Sequence, residues 1–299
     1  MCGVEALLRW RQGDRLISPL EFIPALEESG EIIPVGEWVL RQACQQTRAW
    51  QLSGHEHIRC SVNISSLQLQ QADFTPRLID ILQQSGLPPA SLILEITESQ
   101  LINDDLNTLA CLNELASLGV LLALDDFGTG YSSLGYLTRF PLHILKLDKS
   151  FIGGIPLDSK QGMISQAIIG LGRNLGLEVV AEGIETPAQL DFVLGEGCHY
   201  AQGFWFSQPR RPTRYSACST QRTASRRGNG LTGGDPVGLG AHWHPAMQCL
   251  DLAHYVQHRV VMATNVKWLT IKTSVLPTSA HISKGSRPCV TPCLSIRKT

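Results

Sequence analysis

Glu5, Asn63, Glu95, Asp125 with Asp126, and Glu182 each stand at or next to the C-terminal end of an apolar run. Lys146 (followed by Asp148) and Gln202 occupy equivalent places. The first six are hard oxygen donors, no cysteine stands among them, and His199 is the only imidazole nearby. Such a set favours Mg²⁺ or Mn²⁺ over zinc or copper. Five carboxylates facing one cavity would repel strongly without cations. The adjacent pair Asp125 and Asp126 suits the bridging of two metals ~3.5–4 Å apart, the arrangement that generates hydroxide and stabilises the leaving oxygen in phosphoester hydrolysis. Lys146 would hold the attacking water or neutralise phosphate charge, and Arg9, four residues past Glu5, would clamp a phosphate. The residues therefore point to a metal-dependent phosphate-ester hydrolase. A sugar hydrolase working with two of the acids is the rival, and Asn63 and Lys146 in the set favour the metal. No GxxxxGK[ST] or GxSxG occurs, and the GxG at Gly128–Gly130 reads as a mobile loop.

These side chains need elements to carry them. Strands are predicted at 4–9, 58–64, 92–96, 120–124, 144–147, 178–181 and 201–206. Helical spacing covers 19–29, 34–50, 74–85, 107–118, 159–175 and 187–195, with a short helix before Pro141. Near-continuous apolar strands alternating with helices argue for a parallel sheet covered by helices. Seven strands fall one short of a (β/α)₈ barrel, and a doubly wound open sheet competes. The polar residues decide between them. A barrel gathers the C-terminal ends of all its strands into one ring, whereas an open sheet concentrates its ligand residues at one switch point. A lone Asp after a strand is commonly a turn or cap residue; the same feature after every strand is not.

The chain has 299 residues, 43% of them apolar, and a net charge of −1. That is enough to bury a sizeable core and argues against disorder over the whole chain. The charge is unevenly placed: residues 1–209 carry −12 and residues 210–299 carry +11. The first part is expected to be one catalytic domain. The basic, Ser-, Thr- and Gly-rich remainder reads as an atypical, poorly ordered tail. Its apolar stretches at 260–262 and 266–270 are short, with no turn chemistry to tie them together. It has no aromatic stacking stripe, which argues against nucleic-acid binding. Nine cysteines, an odd number without a CxxC, indicate reduced thiols and a cytoplasmic location. No apolar run approaches the ~18 residues of a membrane span, and no secretory signal is evident.

Seven motifs, in order and spacing, resemble the EAL-domain family: VEALLRW around Glu5, SVNISSLQL at 61–69, LEITES at 94–99, LDDFGTGYSSL at 124–134, KLDKSFI at 146–152, VVAEGIET at 179–186 and AQGFWFSQP at 201–209. The SPLEFIPALEESGEIIPVGEWVL stretch, which carries no chemistry, is similar too. The resemblance covers 4–209. It implies a modified (β/α)₈ TIM-type barrel whose first strand runs antiparallel, and a phosphodiesterase that opens cyclic di-GMP to linear pGpG with Mg²⁺ or Mn²⁺. It implies Glu5, Asn63, Glu95 and Asp125 at a first metal and Asp125, Asp126 and Glu182 at a second. Lys146 would position the water and Glu182 would act as general base, with Glu5 counted among the catalytic groups. Arg9 and Gln202 would meet the substrate. Glu98 would anchor the 127–133 loop and Glu185 would support the site. A homodimer through the loop after Asp126 is also implied. Relative to the family pattern the barrel is incomplete, because the first strand and the last helix are missing. The tail or a second chain would then supply an edge. The alternative reading is an inactive fragment that binds cyclic di-GMP or a partner protein.

Overall fold

The computed structural model describes residues 3–101, 106–129, 134–155, 159–209, 258–264 and 268–273. The strands are β1 (Gly3–Gln12), β2 (Arg15–Ile17), β3 (Arg59–Asn63), β4 (Leu92–Thr97), β5 (Leu121–Phe127), β6 (Ile144–Leu147), β7 (Glu178–Ala181), β8 (Tyr200–Ala201), β9 (His258–Thr264) and β10 (Trp268–Thr273). The helices are α1 (Pro19–Ser29), α2 (Ile32–Leu52), α3 (Ser66–Leu69), α4 (Phe74–Ser85), α5 (Glu98–Leu101), α6 (Leu106–Ser117), α7 (Leu134–Arg139), α8 (Ser159–Asn174) and α9 (Pro187–Gly195).

One sheet runs β10-β9-β1-β3-β4-β5-β6-β7-β8, with β2 folded back on β1 as a hairpin. From β1 through β3 to β8 every pairing is parallel. The sheet curls. In a flat sheet β1 and β8 would lie about 29 Å apart, six strand spacings, yet Gln202, just past β8, donates from Nε2 to Glu5 Oε2 on β1 at 2.7 Å. Among the described residues β8 and β10 end the sheet without pairing to each other. This is an incomplete (β/α)₈-type barrel.

Strand alternation sorts the side chains into two layers. The outward residues, among them Cys60, Val62, Leu92, Leu94, Leu122, Leu124, Leu145 and Val179, form the main core under the helices. The inward residues form a small apolar plug of Ile93, Ala123 and Ile144, with Leu121 and Val180 against it. The inward residues at one end of that plug form the site described below.

The structure adds the short helices α3 and α5 to the expected elements and differs from them in three further places. The first strand turns at Gly13 (φ 58°) into β2, giving an eighth strand within 3–209. The last strand is Tyr200–Ala201, not 201–206, because Gln202 and Trp205 bond to Ile184 in the loop after β7 instead of continuing a ladder. Beyond it Phe204, Trp205 and Phe206 are exposed. In the tail, β9 and β10 form an antiparallel pair, and β9 pairs antiparallel with β1 from Ala6 to Gln12. Their β-branched content, Val260, Val261, Thr264, Thr270, Ile271 and Thr273, suits a strand. The edge of β1 that the sequence left without a neighbour is thus covered over seven residues. The rest of the tail lies outside the described residues.

Candidate active site

The ring forms where parallel strands end. In register, Glu5 lies beside Ser61, Asn63 beside Glu95, and Thr97 beside Asp125. This stagger keeps Glu5, Asn63, Glu95, Asp125 and Lys146 on the inward face at one level. Glu182 follows β7 immediately, held by its N–H to the Leu147 carbonyl at 3.0 Å. Gly183 then adopts φ 69°, where a Cβ would run into the Lys149 side chain, so the chain turns away sharply after Glu182.

β5 is irregular at Asp125 and Asp126: the first is buried in the ring, and the second is exposed beside it, near enough to feel its charges. Leu124 pairs with Leu145 and Phe127 with Leu147, so the two aspartates together oppose the single residue Lys146. Strict alternation would send Asp126 to the opposite face. Instead it takes φ 55°, the one described non-glycine residue with positive φ, and its N–H donates to Asp125 Oδ1 at 3.0 Å. Aspartate tolerates this left-handed geometry better than most residues. Bulges of this kind change the direction of a side chain relative to strict alternation.

Lys146 is the centre of charge. Its buried ammonium lies 2.9 Å from Glu95 Oε1, 3.0 Å from Asp125 Oδ1 and 2.6 Å from Glu182 Oε1. Burial lowers its pKa, but the surrounding carboxylates outweigh burial and raise it well above the usual lysine value. Glu5 is clamped between two amides, Asn63 Nδ2 at 2.9 Å and Gln202 Nε2 at 2.7 Å. One ammonium does not neutralise the set. Burial first, and then repulsion from Glu5, Asp125 and Glu182, push Glu95 well up despite Lys146. Burial and repulsion from Asp125 and Glu5 likewise raise Glu182 to about 7 against the pull of Lys146. Asp126 is raised by burial and then by Asp125. Glu95 Oε2 is buried without a hydrogen-bond partner. Glu182 Oε1, though close to Lys146 Nζ, is outside hydrogen-bonding geometry.

This excess of buried negative charge on hard oxygen donors fits divalent cations such as Mg²⁺ or Mn²⁺. Among the described residues no three Asp, Glu, His or Cys side chains stand grouped as metal ligands. Three of the carboxylates close on the Lys146 ammonium instead.

The remaining expected residues lie at varying distance from this centre. Arg9 is on the same face of β1 as Glu5, further along the strand, with Nη1 donating to the Leu8 carbonyl at 2.9 Å. Burial lowers its pKa and Glu5 raises it. Glu98 is buried at the start of α5 and accepts from Gly128 N–H at 3.4 Å. Residues 130–133, which hold the rest of that loop and of the expected dimer contact, lie outside the described residues. The Glu185 side chain is exposed, and its N–H donates to Gln189 Oε1 at 2.8 Å. His199 lies at the far end of the sheet, where Nδ1 accepts from Val179 N–H at 2.9 Å.

Gln68 and Gln189 were not predicted. Each completes a capping box, with Ser65 and Thr186, just after a ring residue. Gln189 Oε1 also accepts from Thr186 N–H, and its Nε2 donates to the Ile152 carbonyl. The S-x-x-Q and T-x-x-Q spacings were available as signals.

The sequence profile described as the EAL domain matches residues 1–209. The bifunctional diguanylate cyclase/cyclic di-GMP phosphodiesterase MucR of Pseudomonas aeruginosa is 45% identical over 210 residues, 70% of this chain and 31% of that protein. The cyclic di-GMP phosphodiesterase NbdA of the same species is 45% identical over 207 residues, 69% of this chain and 26% of that protein. The chain thus spans about a third or less of these relatives' length. Among solved structures, a MucR phosphodiesterase in complex with c-di-GMP superposes with a TM-score of 0.66 at 45% identity, covering 70% of this chain and 85% of that one. With its motifs, its curled parallel sheet and this match over more than two thirds of its length, the chain belongs to the EAL domain family.

Proposed function

We propose that residues 1–209 form a divalent-metal-dependent phosphodiesterase domain that hydrolyses cyclic di-GMP to linear pGpG, and that residues 210–299 are an appended basic tail. The observation that carries this reading is the buried ring of Glu5, Glu95, Asp125 and Glu182 around a single Lys146, an excess of negative charge that cations would relieve. Glu5, Asn63, Glu95 and Asp125 would hold one Mg²⁺ or Mn²⁺, and Asp125, Asp126 and Glu182 the other. When bound, the pair supplies Lewis acidity that offsets charge on the phosphodiester.

The chain's own residues do the rest. Arg9 draws a substrate phosphate towards the Glu5 end of the site. Glu182, in its ionised form, accepts the proton of the attacking water. The water oxygen bonds to phosphorus, the P–O3′ bond breaks, and the 3′ oxygen takes a proton from solvent water while Glu182 returns its own to solvent, giving a 5′-phosphate and a free 3′-hydroxyl. Lys146 positions the water, its ammonium held between Glu95, Asp125 and Glu182. Gln202 and Asn63 hold Glu5. A homodimer through the loop after Asp126 is part of this proposal.

A second reading is a domain that binds cyclic di-GMP without turnover. The carboxylates closing on Lys146, with no three of the described acids grouped for a metal, favour it. Incubation with cyclic di-GMP and Mn²⁺, followed by chromatographic separation of the nucleotides, decides between the two. The first reading predicts pGpG from the parent and none from Glu5→Ala at unchanged melting temperature. Retained cyclic di-GMP with no product would support the second.

A further inference from the structure

The end of the sheet opposite the carboxylate ring carries a charged contact that no step of the proposed hydrolysis uses. Arg59 opens β3 and Glu178 opens β7, and Arg59 Nη1 lies 2.8 Å from Glu178 Oε2. Tyr200, opening β8, donates to the other Glu178 oxygen at 3.3 Å. Three strands, β4, β5 and β6, separate β3 from β7. Flat, those four spacings would hold the two strands about 19 Å apart. The pair therefore spans the concave face, beneath the plug of Ile93, Ala123 and Ile144.

The same two strands carry ring residues at their other ends. Asn63 is four residues beyond Arg59, and Glu182 four beyond Glu178. An even spacing keeps both members of each strand on the inward face, about 13 Å apart. Each strand is thus a short rigid lever, with the clasp at one end and a ring side chain at the other. The ladder β3-β4-β5-β6-β7 joins the levers along the sheet but is not closed into a ring, since β8 and β10 do not pair among the described residues. Contacts across the concave face can then help to hold the curl. Gln202 with Glu5 is one, at the ring end. Lys146 with Glu95, across β5, is a second, and Arg59 with Glu178 is one at the far end.

We propose that Arg59 and Glu178 are a positioning pair for hydrolysis: they set the curl of the sheet and, through it, the separation of Asn63 from Glu182. This rests on the phosphodiesterase reading above. Both side chains are about one-third exposed, at 32% and 35%. An ion pair of that exposure contributes little to stability, so a purely structural role would leave metal binding by the folded protein unchanged. A positioning role would not.

The test uses the full chain and Arg59→Ala, Glu178→Ala and the charge swap Arg59→Glu/Glu178→Arg. Free Mn²⁺ is titrated by electron paramagnetic resonance, and kcat and KM are measured on cyclic di-GMP. Each alanine variant is expected to bind Mn²⁺ about 10-fold more weakly and to lower kcat by about 10- to 100-fold, with KM little changed. The swap is expected to recover most of both losses. Arg59→Lys and Glu178→Gln should give the same ordering with smaller losses, so the result does not depend on the alanine variants folding. Alanine variants with parental Mn²⁺ affinity overturn the proposal, including where kcat falls only in step with the folded fraction. A parent that neither binds Mn²⁺ nor turns over cyclic di-GMP overturns the phosphodiesterase reading, and the pair's role with it.

Discussion

Lys146 and Glu182 show how far single residues can be read. Their types and their places after apolar runs were visible in the sequence, and so was the expectation that five carboxylates would need cations. The ammonium's contacts with three carboxylates from three strands were not, because they depend on the register of strands distant in sequence. Removing Lys146 leaves those carboxylates buried and uncompensated. Lys146→Met is expected to lose about 3–5 kcal/mol of metal-free stability in denaturant titrations, and the deficit should shrink when Mn²⁺ is added. Glu182 gives a pH dependence of definite sign. Its folded pKa of about 7 lies above the ordinary carboxylate value of 4.5, so the native state binds the extra proton. Its contribution is fully present below pH 4.5 and is lost as pH rises through 7. Glu95 and Asp126, also raised, act in the same direction, while His143, lowered by burial, opposes them below its ordinary 6.5. The metal-free protein should therefore melt at a lower temperature at pH 8 than at pH 6, and Glu182→Gln should reduce that difference. A parent that melts higher at pH 8 would contradict this.

Elements were legible where periodicity and punctuation agree. The spans of α1, α4, α9, β6 and β7 match the expected ranges; the three helices carry a cap or glycine at an end, and the two strands are short apolar runs bounded by polar residues. The β5 bulge was not legible. Its only trace is two consecutive aspartates before Phe127, a pattern that a plain strand end would also produce. The short β8 was missed because 201–206 is apolar and aromatic, yet its backbone bonds to the loop at Ile184. That loop starts with Gly183, whose positive φ and close approach to Lys149 leave no place for a side chain. Gly183→Ala should cost about 1–2 kcal/mol, read as a melting temperature several degrees lower. It should also slow turnover, because Glu182 is displaced with its neighbour. An alanine variant with parental melting and parental rate would show that the turn does not place Glu182.

At the scale of the molecule, the parallel, barrel-type sheet followed from alternating strands and helices with polar ends. How the sheet keeps its curl did not. The pairs that meet across the curl, Gln202 with Glu5 and Arg59 with Glu178, are far apart in sequence, as are β9 and β1, and none of these contacts leaves a local pattern. The 210–299 segment reads as an irregular basic tail, yet its β-branched stretches include the strand beside the one bearing Glu5. Among the described residues no helix is long and apolar enough to cross a membrane. The central claim is that this curl gathers side chains from six strand ends into a site built for two divalent cations. The most direct measurement is a titration of the metal-free protein with Mn²⁺, following free ion by electron paramagnetic resonance. Two ions bound per chain in the parent, with one site lost in Asp126→Asn and both weakened in Asp125→Asn, is the predicted result. A parent that binds no Mn²⁺ while fully folded would contradict it.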